Sequence, residues 1–283
     1  MVPKRTSSRL GWAAIALFAG CALIPLTSAA QSPSPSRAMS GRNRAPRYVE
    51  PNPVSFDSHP GWQSLFNGKD LEGWDGPPGV WTVESGLIVA TSTTANPTGS
   101  TYLIWKGGEP ANFEFKVEMK LVGQGANSGI QFRATRLGAV PGKKYSAWDT
   151  RGYQADFDTL NSNSGALIEC CAGSRRGVPP RPFRAFRGQV VRTAPVLGQK
   201  PTLLATFGDP VTLKSDISGD GWNQVHLIAR GDMMVYVING HLMSVLYDDN
   251  PSMAASKGLL ALQLEGRGDI KAEFRNLWLK HLP

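Results

Sequence analysis

The sequence predicts an all-β sandwich or barrel, and three observations predict it. Short segments alternate apolar and polar side chains, Gly, Asn, Asp and Pro interrupt them at close intervals, and no amphipathic helix of ordinary length can be found. The 283 residues include 31 Gly and 21 Pro, yet 41% are hydrophobic, so the chain turns often and still buries a core. This composition excludes a coiled coil and argues against a disordered protein. After residue 26 no uncharged apolar run reaches the roughly 18 residues that a membrane-spanning helix requires.

The first 30 residues have the three parts of a secretory signal: basic Lys4, Arg5 and Arg9, apolar Gly11–Leu26, then small Thr27-Ser28-Ala29-Ala30. Cleavage before Gln31 fits best, giving an exported chain. Pro25 and the small residues end the run short of a full span, which disfavours a retained anchor. Leu17-Phe18-Ala19-Gly20-Cys21 partly resembles a lipoprotein processing site, but Phe18 fits poorly and apolar residues continue past Cys21, so lipid anchoring there is the lesser alternative. Residues 31–55 are a Ser/Pro/Arg tract with almost nothing to bury, read as a flexible linker, and the domain spans residues 56–283.

The net charge of +8 is concentrated at the N-terminus. Residues 51–283 hold 23 basic and 21 acidic side chains, so no general phosphate-binding surface and no nucleic-acid partner are implied. With Cys21 removed, the mature chain would keep only the adjacent pair Cys170-Cys171, read as two small buried thiols rather than a disulfide framework.

Within the domain, Val80–Glu84 and Leu87–Ala90 flank Ser85-Gly86 as a tight hairpin. Asn112–Leu121 is the clearest strand, with Phe113, Phe115, Val117, Met119 and Leu121 on one face and Glu114, Lys116, Glu118 and Lys120 on a solvated one. Met233–Ile238 and His241–Tyr247 flank Asn239-Gly240, the strongest hairpin signal. Ile270, Ala272 and Phe274 alternate in one phase, Leu277 and Leu279 in the other, which places a bulge near Asn276.

Three further strands carry polar faces of a less ordinary kind. Gln131 and Arg133 alternate with Ile130 and Phe132, Gln154 and Asp156 with Tyr153 and Ala155, and Gln263 shares a face with Glu265. Amides, guanidinium and carboxylates cost free energy when buried unpaired, so several such strands in one sheet suggest a polar concavity for a hydroxyl-rich ligand; an exposed polar face is the equal alternative. Residues Ala172–Lys200, with Arg175 and Arg176 among seven basic and no acidic side chains, read either as a lid over that face or as a solvated cationic loop. Nucleophile elbow, zinc-protease, P-loop and dinucleotide motifs are absent. Asp156 with Asp158 is a weak match to a glycosidase carboxylate pair.

Six short motifs in register carry a resemblance. They are Gly61-Trp62-Gln63-Ser64-Leu65-Phe66-Asn67-Gly68-Lys69-Asp70-Leu71-Glu72-Gly73-Trp74, Asn127-Ser128-Gly129-Ile130-Gln131-Phe132-Arg133, Gly152-Tyr153-Gln154-Ala155-Asp156, Gly221-Trp222-Asn223, Ile238-Asn239-Gly240 and Phe274-Arg275-Asn276. In order and spacing they resemble the 3-keto-disaccharide hydrolase domain family over about residues 60–282. The resemblance implies a concanavalin-like jelly-roll sandwich and action on glycosides already oxidised at C3. A C3 ketone acidifies the C2 hydrogen, so a base can remove it, the C1 aglycone can leave by elimination, and water can add to the enone. One departure stands out: the family pattern often reads Leu-Gln-x-His where this chain has Leu262-Gln263-Leu264-Glu265.

Roles follow from residue type and position within that chemistry. Glu265, Asp156 and Glu169 are candidate bases, and Arg133 is the candidate enediolate stabiliser. Gln131, Tyr153, Gln154 and Gln263 are candidate sugar contacts, with Arg175 and Arg176 reaching in from the lid. For Arg133 the alternative is an ion pair with Asp156, and for Tyr153 it is core packing. Trp222 reads as core. A divalent cation held by carboxylates would suit an enediolate, though no spacing demonstrates one. The ligand expected is a carbohydrate, with a non-catalytic carbohydrate-binding sandwich or an envelope interaction module as alternative functions; oligomeric state is not legible.

Overall fold

A computed structural model describes residues 55–171, 181, 183–196, 198–266 and 268–283. The chain divides into Met1–Asn52 and Pro53–Pro283. The signal, the linker, Arg175 and Arg176 therefore lie outside the described residues.

Seventeen strands are present among the described residues: β1 Gln63–Ser64, β2 Trp74–Asp75, β3 Trp81–Glu84, β4 Leu87–Ser92, β5 Gly99–Trp105, β6 Phe113–Val122, β7 Asn127–Arg136, β8 Thr150–Asp158, β9 Leu167–Cys171, β10 Arg184–Ala185, β11 Gln189–Arg192, β12 Thr202–Thr206, β13 Asn223–Arg230, β14 Met233–Ile238, β15 His241–Tyr247, β16 Leu259–Gly266 and β17 Ile270–His281. They form two sheets. One runs β12-β11-β15-β14-β13-β6-β17-β4-β3 with β1 added beside β17, and the other runs β10-β9-β8-β7-β16-β5-β2. Among the described residues there is one short α-helix, α1 over Pro210–Ser215, besides a single 3-10 turn at Ser146–Trp148; α1 is capped by Asp209, whose side chain accepts from the Thr212 amide.

The local signals produce these elements by ordinary means. Ser85-Gly86 and Asn239-Gly240 both have left-handed backbones, as two-residue hairpin turns between twisted strands require. The phase change in β17 is a bulge between Arg275 and Trp278, with Asn276 at φ 53°, so Phe274 and Leu279 both reach the core. Phe115, Val117 and Met119 of β6 meet Ile130, Phe132 and Leu262 of the opposite sheet in one continuous core.

The outer face of β6 departs from expectation. Lys116 is only 1% exposed. Its Nζ donates to the carbonyls of Ser55, Phe56 and Ser58 at 2.9, 2.9 and 3.2 Å and lies 4.5 Å from the Trp62 ring centre. The first residues of the domain thus fold over this face and are held by a cation that strand alternation alone assigns to solvent.

The basic stretch before Lys200 differs too. Its described part carries β10 and β11, and Arg181, Arg184, Arg187 and Arg192 bind Glu169 and Asp248, Asn163, Asn161, and Asp249 respectively. Trp222 is half-buried under the Arg275 guanidinium, 4.1 Å away, rather than in the core. Cys170 is disulfide-bonded, which corrects the reading of two free thiols.

Candidate functional site

Strand parity sends Ile130, Ala155 and Leu262 into the sandwich, so Gln131 of β7, Gln154 and Asp156 of β8, and Gln263 and Glu265 of β16 project from the sheet's opposite face. They form a chain of contacts. Gln154 Nε2 donates to Asp156 Oδ1 at 3.0 Å and to Gln263 Oε1 at 2.7 Å. Gln263 Nε2 in turn lies 3.1 Å from Glu265 Oε2 and 3.0 Å from Ser100 Oγ. Gln131 donates to the Cys170 carbonyl and accepts from Thr150 Oγ1.

This carboxylate–amide–amide–carboxylate row is largely closed off from bulk water. Gln131, Gln154 and Gln263 are fully buried, Asp156 is 3% exposed, and Glu265 is half-buried. Burial pushes the Asp156 carboxyl up to about 7, against the hydrogen bond from Gln154 and with help from the charges of Asp158 and Glu265. Gln154 Oε1 and Asn127 Oδ1 have no hydrogen-bond partner among the described residues. The face therefore combines a carboxyl poised near neutrality with two buried acceptors whose hydrogen-bonding capacity is unused among the described residues.

Three expected members are elsewhere. Arg133 has φ 46° and sits in a bulge between Phe132 and Thr135, which turns its side chain off the row that parity assigns it. Its guanidinium donates to the carbonyls of Ala111, Gly231 and Ala255 at 2.8–3.2 Å, not to Asp156. Glu169 pairs with Arg151 at 2.9 Å and Arg181 at 3.0 Å. Tyr153 faces the core, stacks on Phe132 and donates to Asp248 at 2.5 Å, and burial raises its hydroxyl to about 12. Asp248 also accepts from Arg181 and Thr193, both at 2.6 Å. Glu169, Tyr153 and Arg133 belong to this second cluster, on the other side of the sheet from Asp156.

Asp158, the other half of the glycosidase-like pair, accepts from the amides of Ser162 and Asn163 and so is bound into its turn. Ser100, Tyr102 and Asn127 belong to the site and were missed as single residues. Ser100 and Tyr102 stand opposite Glu265 and Gln263 on β5, and alternation in Ser100-Thr101-Tyr102-Leu103-Ile104 was the signal. Among the described residues no group of three His, Cys, Asp or Glu side chains converges to hold a metal.

The geometry can be set beside known proteins. The sequence profile of the 3-keto-α-glucoside-1,2-lyase-like domain matches residues 61–280, most of the chain. The chain belongs to that family. Membership places this lyase-like domain among carbohydrate-active proteins, and its all-β architecture is a jelly-roll sandwich as expected. No curated protein matches it. Among solved structures it is similar to a provisionally named glycosyl hydrolase from Parabacteroides distasonis ATCC 8503, with 19% identity and TM-score 0.49 over 78% of this chain and 99% of that one. It is also similar to a protein of unknown function with a galectin-like fold from Bacillus subtilis, with 12% identity and TM-score 0.47 over 78% and 94%. A third is carbohydrate-binding module CBM66 from Bacillus subtilis, with 15% identity and TM-score 0.41 over 74% and 95%.

Proposed function

We propose that this lyase-like domain cleaves C3-oxidised glycosides by base-promoted elimination followed by hydration, and that the chain is exported behind its N-terminal signal tract. The observation that carries the reading is Asp156: a buried carboxyl near neutrality, hydrogen-bonded into a row of sugar-compatible amides. Asp156 as carboxylate takes the C2 proton, made acidic by the C3 ketone. The electron pair forms the enediolate, the C1–oxygen bond then breaks, and the proton ends on the departing aglycone alcohol. Water adds to the enone at C1 and the ketone is restored, so the net change is hydrolysis. A carboxylate held near pH 7 is a stronger base than one near its reference value of about 4 and is still substantially ionised at neutrality.

Gln263 fixes the amide row, and Gln154 Oε1 and Asn127 Oδ1 supply acceptors for sugar hydroxyls. Arg133 does not reach this face, so the groups beside Asp156 that bear on the developing oxyanion are the amides of the row. Glu265, at the position where the family pattern often has His, adds charge that keeps Asp156 basic. The test is incubation of the purified protein with 3-keto-trehalose or a 3-keto-glucoside; release of the aglycone supports the reading, and none from any C3-oxidised glycoside overturns it. One observation favours a binding-only reading: the three glutamines are fully buried and largely hydrogen-bonded to the protein itself. Sugar binding without turnover would identify that case.

A further inference from the structure

The second cluster lines a cleft at the end of the sandwich where β7 finishes and β8 begins. Arg133, Arg151, Tyr153, Glu169 and Arg181 form its walls, and Thr135 and Ser252 bring hydroxyls to it. Its charges do not cancel. Arg181 is committed to Glu169 and Asp248, whereas Arg133 is 3% exposed and among the described residues is met only by backbone carbonyls, with no carboxylate in contact. A buried cation with no carboxylate in direct contact is costly, and burial pushes the Arg133 pKa down from its ordinary value against the more distant charges of Asp232 and Asp248. Among the described residues Arg151 makes a single bond, from Nη2 to Glu169, and keeps its remaining N–H donors while its side chain is one-quarter exposed. The left-handed backbone of Arg133 is a further mark of the place, because a buried residue is held in that conformation only where its surroundings over-determine it.

We propose that this cleft is a second binding site, separate from the Asp156 face, and that it takes a small oxyanion. The Arg151 donors and the Arg133 charge engage the oxyanion, and the Thr135 and Ser252 hydroxyls fit the ring hydroxyls of a sugar acid. The proposal does not rest on the elimination chemistry above. An oxyanion here supplies a counter-charge in direct contact, and a planar guanidinium with remaining donors matches a carboxylate or sulfate in two-point contact.

The test is calorimetric titration of the full chain with sodium glucuronate, with glucose and sodium sulfate as competitors. Saturable glucuronate binding is expected, weakened about tenfold or more by Arg151→Gln, the scale of a lost charge-assisted hydrogen bond. Ser252→Trp, which plugs the mouth and leaves every charge in place, should abolish binding while the melting temperature is kept. Glu265→Gln on the other face should leave it unchanged. Sulfate competition assigns the site to oxyanions in general, and its failure narrows the site to sugar acids. The proposal is overturned if neither anion binds, if glucose displaces glucuronate, if Ser252→Trp binds normally, or if Glu265→Gln rather than Arg151→Gln removes binding.

Discussion

Gln154 and Gln263 touch across an entire strand. Gln154 Nε2 reaches Gln263 Oε1 at 2.7 Å although β7 lies between β8 and β16. Gly129 of β7 is paired with both Asp156 and Gln263, and a Cβ there would come within 2.9 Å of the Gln154 side chain and 2.6 Å of the Ala155 carbonyl oxygen. The absence of one methyl group is what joins the two halves of the site.

Gly129→Ala should therefore separate the glutamines and strain the sheet. An overpacked core site costs about 1–3 kcal/mol, which in a domain of this size lowers the melting temperature by roughly 2–4 °C per kcal/mol. Calorimetric melting of the two proteins, with sugar binding measured alongside, checks it. An unchanged melt and unchanged binding would show that the gap at Gly129 is spare space.

Lys116 makes a separate prediction, on the other sheet. Lys116→Met keeps the apolar stem but leaves the carbonyls of Ser55, Phe56 and Ser58 without their donor and removes the charge from beside Trp62. A loss of about 1–3 kcal/mol is expected, seen as a lower denaturant midpoint. Limited proteolysis should also cut earlier around residue 55. A variant as stable and as protected as the parent would mean that the segment is held by other contacts.

The raised carboxyl of Asp156 also predicts how stability depends on pH. In the unfolded chain the group ionises near its reference value of about 4, and in the folded protein it stays protonated up to about 7. Between these values the unfolded state binds fewer protons, so this residue lowers stability progressively as pH rises, and the loss is complete above pH about 7. Asp156→Asn removes that dependence. Its melting temperature relative to wild type should climb from pH 4 to pH 8, and a difference that stays flat would contradict the shifted carboxyl.

Much of this was legible in the sequence, and the gaps have physical causes. Hairpins at Ser85-Gly86 and Asn239-Gly240 and the bulge at Asn276 follow from local backbone preferences, so reading them needs no tertiary information. The grouping of Gln131, Gln154, Asp156, Gln263 and Glu265 follows from alternation once their strands share a sheet. Arg133 broke the same rule because one bulge reverses parity beyond it, and nothing in Phe132-Arg133-Ala134 signals a left-handed residue. Lys116 was misplaced for another reason: the chain that covers it lies about 60 positions away in sequence. Glu169 looked free only because its partners Arg151 and Arg181 arrive from a neighbouring strand and a loop.

The central claim is that Asp156 is the base for eliminating an aglycone from a C3-oxidised glycoside. The most direct measurement is the rate of aglycone release from a 3-keto-glucoside between pH 5 and pH 9 for wild type, Asp156→Asn and Glu265→Gln. Because the base must be ionised, the wild-type rate should rise with pH through about 7 and then level off. Asp156→Asn should lose at least about 10²-fold in kcat with KM little changed, and Glu265→Gln should shift the rise to lower pH by removing a charge that holds Asp156 up. Full turnover in Asp156→Asn, or a wild-type profile with no rise near neutrality, would contradict the account.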